Sequence, residues 1–371
     1  MAAVENPVTE RDAGRDFEAP LCPMVASIEE HTMGESLFEY LNMKVHPDIK
    51  DYDWTTIKVK GCHSRAHASR ISAIEKRGKL FNWQRPTTSH AGSGVLELQC
   101  FPGLDYVEHY AGIVATYLAL NRKSPKVVNF SLPTRLEQMK PLLESNLREL
   151  GDVDVAILGY VQGLERFTSG TWTMDDANEL FAWKILTMPN GCRVAFIGCR
   201  VSFWGDIAGN VVRSLQILNK VKCTLYIGKL GSLRPEHKPN TLLATGNQSF
   251  VNGTMVTWTN VLEHAITKSA FVQLGVHYTL PSVLQETKSW LAEREGSFDW
   301  VDPEIGHMAQ ASLEGQTSFG YLHVVSDNIA QKYPHDLSNE RLEQVLNNRA
   351  RLIAEIEDVV ELYLSRWNLV T

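Results

Sequence analysis

From residue 126 onward, short apolar runs of strand length alternate with longer segments of helical period. "KVVNFSL", "VDVAILGYV", "RVAFIGCRV", "KCTLYIGKLG", "TLLATG", "AFVQLGVHYTL" and "GYLHVVSDN" read as strands. Between them, "RLEQMKPLLESNLREL", "GDIAGNVVRSLQILNK" and "PEIGHMAQASLEG" read as helices, and "LSNERLEQVLNNRARLIAEIEDVVELYLSRW" is a long amphipathic one with Ser338 in the N-cap position. Strands joined through helices can run parallel, because a helix supplies the crossover that a parallel pair needs. The pattern therefore predicts an α/β fold: a mixed, partly parallel central sheet flanked by helices, over residues 126–371. Residues 1–30 are polar and acidic and read as a disordered arm. Residues 31–125 form an N-terminal extension of unassigned fold, in which "VEHYAGIVATYLALN" has helical period.

Composition narrows the function. The chain has 371 residues, 44% hydrophobic and 21% charged, with a net charge of −7, which suits a large folded core. No run of Lys and Arg marks a nucleic-acid footprint. No apolar run of about 18 residues marks a membrane span, and the first residues lack the apolar core of a signal peptide, so the expected location is the cytoplasm. The six cysteines, at 22, 62, 100, 192, 199 and 223, form no C-x-x-C pair, and no H-E-x-x-H occurs; neither a metal site nor a cofactor is expected. "HAGSG" lacks the Lys-Ser/Thr of a P-loop and reads as a plain loop.

The candidate chemistry lies where strands end. "GYLHVVSDN" is a buried-strand pattern that stops on Ser326, Asp327 and Asn328. Ligands of open α/β sheets sit beyond the carboxyl ends of the strands, so Asp327 is a candidate acid. "VDPE" places Glu304 at a helix start, and "YIGKLGSL" carries a Gly-x-x-Gly turn at Gly228 and Gly231. Taken in order, these segments and the strand-turn-helix "RVAFIGCRVSFWGDIAGNVVRSLQ" resemble the purine nucleoside phosphorylase and nucleosidase superfamily over roughly residues 126–365. "YIGKLGSL" is similar to that family's "R-I-G-T-C-G-S-L", "VDPE" to "V-(D/E)-M-E", and "VVSDN" to "(V/I)-S-D-(N/H)".

The resemblance implies cleavage of the N-glycosidic bond of a purine nucleoside or a 5′-modified one, by phosphate or by water. It implies that Asp327 serves the departing base with Arg341 as its partner, and that Glu304 holds the ribose hydroxyls. Ser326, Pro303, Phe203, Trp204, His277 and Tyr278 are the remaining candidates for lining the substrate site. Arg135, Lys229 and Tyr226 fall at or near the positions that grip phosphate. A homo-oligomer is also implied. This chain departs from the family in four places: Tyr226 replaces the strand Arg, Lys229 a hydroxyl residue and Pro303 a Met, while Phe203-Trp204 make the turn after the central strand bulky. Lys is a point charge without the fork that Arg offers an anion, so the nucleophile stays open. Two other readings stay open as well: a nucleoside-binding protein without catalysis, and a biosynthetic enzyme of altered chemistry on a modified nucleoside.

Overall fold

The computed structural model describes residues 20–62, 79–174, 176, 178–334 and 342–367. Arg341 and Ser338 lie outside them. Two sheets organise the chain. The first joins β1 (Thr56–Gly61), β2 (Thr87–His90), β3 (Val95–Cys100) and β4 (Val128–Ser131) in the order β2-β3-β1-β4. β1 runs parallel to both β3 and β4, and β2 closes a hairpin on β3. The "HAGSG" segment is the turn of that hairpin, with Gly92 and Gly94 at positive φ.

The connection from β3 to β4 is the helix α2 (Leu104–Leu120), which follows α1 (Ser36–Lys44) in the chain. α2 buries Tyr106, Val107, Tyr110, Ile113, Val114 and Leu118 in the main core, and its apolar length matches the helical period expected over 107–121. β4 is a strand, as its pattern predicts, yet it pairs with β1 rather than with the larger sheet. Residues 20–30, read from sequence as part of an arm, are tied in. Leu21 and Phe130 exchange backbone hydrogen bonds of 2.8 and 3.0 Å, and Ala26 is buried.

The second sheet has eleven strands among the described residues. Its spine runs β11 (Thr254–Thr257), β10 (Gln248–Val251), β13 (His277–Thr279), β14 (Trp300–Asp302), β8 (Cys223–Ser232), β15 (Ser318–Asn328), β9 (Leu243–Thr245) and β12 (Val272–Leu274). β5 (Val155–Gly159) pairs with β8 and with β7 (Arg193–Cys199), which pairs in turn with β6 (Phe181–Thr187). β5, β7, β8 and β15 run parallel to their neighbours in this group, while β14 and β9 lie antiparallel to β8 and β15. The sheet is thus mixed and partly parallel, flanked by helices, as the alternation of elements predicts.

"AFVQLGVHYTL" is two strands, not one. It breaks at Gly275, where a Cβ would lie 2.4 Å from the indole nitrogen of Trp300. "RLEQMKPLLESNLREL" likewise ends its α-helix early, as α3 (Arg135–Leu143), and Asn146–Glu149 forms a 3-10 turn. Among the described residues the other helices of seven or more residues are α4 (Asp206–Asn219), α5 (Lys288–Arg294), α6 (Ile305–Glu314) and α7 (Glu343–Ser365).

Alternation along β8 separates two cores. Tyr226 and Leu230, with Tyr321 and Val325 of β15, face the layer of α2, α4 and α6. Leu225 and Ile227, with Leu322 and Val324, face α7 through Leu352, Ile356, Val359 and Val360. No helix among the described residues is long and apolar enough to cross a membrane.

Candidate active site

The carboxyl ends of β5, β7, β8 and β15 converge with the end of β14, and two carboxylate clusters form there. The first is centred on Glu304, between Asp302 of β14 and the start of α6. Asp302 is the N-terminal cap of α6, accepting from the backbone N–H of Glu304 and of Ile305 at 2.9 Å each. Its other neighbours are two histidines: His277 Nε2 lies 3.0 Å from Asp302 Oδ1, and His323 Nε2 lies 3.7 Å from Oδ2. Beyond His277, Nδ1 meets the Ser249 hydroxyl at 2.8 Å, and Ser249 meets Thr279 at 2.9 Å. His277 is completely buried in this chain of polar groups. The structure therefore puts it behind the site, as a support of Asp302, and not on an open substrate surface.

Burial works to raise the Asp302 carboxyl, but His277, His323 and the helix N–H groups together hold it below the usual range. Burial pushes His323 down to about 4 against the pull of Asp302. Glu304 goes the other way. Burial first, then the Asp302 charge, drive its carboxyl well above the carboxylate range, while the Tyr226 phenol and the Gly205 N–H donate to it and oppose the rise. The Tyr226 hydroxyl is 3.4 Å from Glu304 Oε2. Tyr226 itself stands edge-on to Phe203 at 5.8 Å and to His323 at 4.4 Å. Pro303 is the link between Asp302 and Glu304.

The second cluster is centred on Asp327. The pairing of β15 with β8 shifts register between Val325 and Asp327, so that Ser326 is the extra residue of a bulge. Ser326 donates to Asp327 Oδ1 at 2.7 Å and lies 3.2 Å from the Leu230 carbonyl. Asp327 then pairs opposite Gly231, where a Cβ would stand 3.0 Å from its carboxylate. At Gly228 a Cβ would stand 2.8 Å from His323 Nε2. Both glycines lie within β8 and make no turn. Their use is to let a side chain of the neighbouring strand lie against the backbone.

Next to Asp327 is a residue the sequence reading missed, Glu286. It is 4% exposed and Asp327 is 8% exposed. Burial, and then the charge of Asp327, push the Glu286 carboxyl well above its ordinary range. Its side chain makes no hydrogen bond with any described residue. One signal was legible: between Lys268 and Glu286 the chain has no Asp, Glu, Lys or Arg. A lone acid at the end of such a stretch is a candidate for burial.

The remaining candidates are dispersed. Lys229 pairs with Val324 on the α7 face of β8, opposite to Tyr226 and Glu304. Arg135, exposed at the start of α3, donates to Asn210 of α4 at 2.5 Å. Trp204 is locked, its indole N–H donating to the Pro281 carbonyl at 2.7 Å and its rings stacked on His109 at 4.2 Å. Tyr278 stacks on Phe250 at 5.3 Å and lines a cavity of about 370 Å³ together with Thr279, Glu108 and His307.

No family model matches the chain. An oxidoreductase named cns1 from Cordyceps militaris is 25% identical over 261 residues, a match that takes in 63% of this chain and 32% of that protein. The chain thus spans about a third of the length of the curated relative it matches. Among solved structures, the chain is similar to futalosine hydrolase of Helicobacter pylori, with 13% identity over 56% of this chain and 99% of that one, at a TM-score of 0.44. It is also similar to 5′-methylthioadenosine/S-adenosylhomocysteine nucleosidases. That of Helicobacter pylori is 16% identical over 57% of this chain and 99% of its own length, at a TM-score of 0.45. That of Neisseria meningitidis, in complex with methylthio-immucillin-A, is 15% identical over 57% and 98%, at a TM-score of 0.43.

Proposed function

We propose that this chain hydrolyses the N-glycosidic bond of a purine nucleoside or a 5′-modified purine nucleoside. The observation that carries the reading is the buried pair Asp327 and Glu286 at the end of β15. As the bond breaks, negative charge gathers on the base and oxocarbenium character on the sugar. A carboxylic acid kept neutral in a dry pocket is a donor to such a base. Asp327 is the acid on the base, aimed by Ser326. Glu286 is a second acid in reach of its ring edge. Glu304 takes the ribose hydroxyls, and Tyr226 and Gly205 fix its carboxyl. Phe203 is the wall beside Tyr226.

Water is favoured over phosphate as the nucleophile. Tyr226 puts a phenol on Glu304 where the resembling family carries an arginine. Lys229 faces the other side of the sheet, and Arg135 is engaged by Asn210 on α4. A dianion needs a fork of donors or several cations, and Lys229 on the α7 face of β8 and Arg135 on α3 are not brought together as one. The resemblance also supports a homo-oligomer, which light scattering of the purified chain tests directly.

The test of function is chromatography of the protein incubated with a panel of nucleosides and 5′-modified nucleosides, with and without phosphate. Free base in both conditions is the expected result. Free base only with phosphate overturns water as the nucleophile. No base from any substrate overturns cleavage, and nucleoside binding without turnover then favours the binding-protein reading.

A further inference from the structure

The N-terminal region reaches the site through α2. Its first turn and the first turn of α4 cap each other. Asp206 accepts from the backbone N–H of Leu104 at 2.9 Å and of Asp105 at 3.1 Å, and Asp105 Oδ2 accepts from the N–H of Asp206 at 3.2 Å. The same Asp105 oxygen lies 2.8 Å from His307 Nε2, one turn along α6 from Glu304. Between these groups is Gly205, at φ +60° and ψ −130°. A Cβ there would stand 2.5 Å from that of Asp105, so the residue must be glycine for both space and backbone. One turn further along α2, His109 stacks on Trp204 and bonds the Ser282 hydroxyl at 2.7 Å. Burial, helped by the charges of Lys44 and Arg85, pushes His109 down to about 3, so it stacks as a neutral ring.

We infer that Asp105 and His109 are positioning residues: they clamp the turn Trp204-Gly205-Asp206 from the N-terminal side and, through the contact of Asp105 with His307, hold the first turn of α6, where Glu304 stands. The inference rests on the reading of Glu304 as the sugar carboxylate, and it gives residues 104–109 a part in the chemistry. The groups that face Glu304 are Tyr226 from β8, Asp302 from β14 with His277 and His323 behind it, and the Gly205 N–H. Of these, the N–H is the one that α2 controls. Losing it removes a donor to the carboxylate, which favours the protonated acid and moves the acidic limb of the rate profile to higher pH.

The experiment compares wild type, Asp105→Ala, Asp105→Asn and His109→Ala in the full chain, over a range of pH, on the nucleoside that wild type cleaves best. Asp105→Ala is expected to lower kcat about 100-fold, the scale of a small misplacement at a reacting centre, and to raise the acidic limb. Asp105→Asn keeps an oxygen for both the Asp206 N–H and His307, and should restore kcat to within a few-fold of wild type. Wild-type kcat and an unmoved limb in a folded Asp105→Ala overturn the inference. Should that variant not fold, His109→Ala leaves both helix caps in place and is held to the same two readouts.

A second measurement is independent of catalysis. Amide hydrogen exchange across residues 201–207 should speed up in Asp105→Ala while β5 and β15 exchange as in wild type. Unchanged exchange there overturns the clamp even if the protein cleaves no nucleoside. Absent cleavage with faster exchange removes the reading of Glu304 but keeps the clamp.

Discussion

The two carboxylate clusters differ in how they are held. Glu304 is wired into the fold: a backbone N–H and a phenol donate to it, a capping aspartate stands beneath it, and two histidines stand behind that aspartate. Glu286 has a charged neighbour and no hydrogen bond from any described residue. A buried polar group without a partner is costly, by about 1–3 kcal/mol for an ordinary donor or acceptor, so natural folds keep few of them. The first arrangement fixes a geometry before a ligand comes. The second leaves a group whose partner is the ligand. On the function proposed above, the tightly held cluster would meet the ribose, which ribonucleosides share, and the cluster of Glu286 the base, which varies.

That contrast can be broken by substitution. Asp327→Asn should have the largest effect, a fall in turnover of about 10³-fold, within the range for a lost general acid. Its melting temperature should stay near wild type, because the amide still accepts from Ser326. Near-normal turnover removes Asp327 from the mechanism. Glu304→Gln comes next. It should weaken ribose-bearing ligands about 3- to 10-fold, the worth of a hydrogen bond between neutral groups, and leave free base unaffected in calorimetric titration. Equal losses for both ligands show that the wired cluster does not serve the sugar.

Gly231→Ala tests the close approach of Asp327 to β8. The new methyl group meets the Asp327 carboxylate, Ile329 and Val301 at 2.9–3.2 Å. The expected cost is about 1–3 kcal/mol of stability, and turnover should fall with it. Unchanged turnover indicates that Asp327 tolerates displacement. Glu286→Gln is milder at neutral pH, since an amide still donates to the base. Its signature lies in pH. Wild-type affinity for free base should fall as pH rises through the raised Glu286 value, where the donor is lost, and the variant should show no such fall.

The smallest effect concerns stability. Burial, and then the Asp105 charge, push Asp206 up to about 6 from an unfolded value near 3.8. A carboxyl raised in the folded state stabilises fully below the unfolded value, and that contribution is lost as pH rises through the folded one. Asp206 thus gives a downward slope of stability between about pH 4 and 6. Denaturant titrations of Asp206→Asn should show this slope removed; a slope equal to wild type places the proton elsewhere in the Asp105–Asp206–His307 set.

The centre of the larger sheet was legible in the sequence, because β5, β7, β8 and β15 are buried on both faces and read as near-continuous apolar runs. Local pattern says that "KVVNFSL" is a strand; it does not say which sheet, and β4 joined the smaller one. The strands of that sheet are short, and "TTSH" is no apolar run at all. Asp327 and Glu304 stand out in the sequence by motif and strand-end position, whereas their surroundings do not. Asp302 sits two residues from Glu304 yet went unread, since nothing local says that it caps α6 or meets two histidines. Gly228 and Gly231 read as a turn because glycine usually marks one. Their use became visible only with β15 alongside. Alternation along β8 was enough in principle to separate Lys229 from Tyr226, three residues away, and the motif comparison overlooked it.

The reciprocal aspartate caps have a consequence for how the chain comes apart. They join helix starts about 100 residues apart in sequence, so neither α2 nor α4 has its full first turn satisfied until that long loop has closed. Heat or denaturant that frees one helix also uncaps the other. A sequence that divides on paper near residue 126 is therefore expected to melt as one cooperative unit, with calorimetric and van't Hoff enthalpies equal, and the N-terminal region should have no separate lower transition.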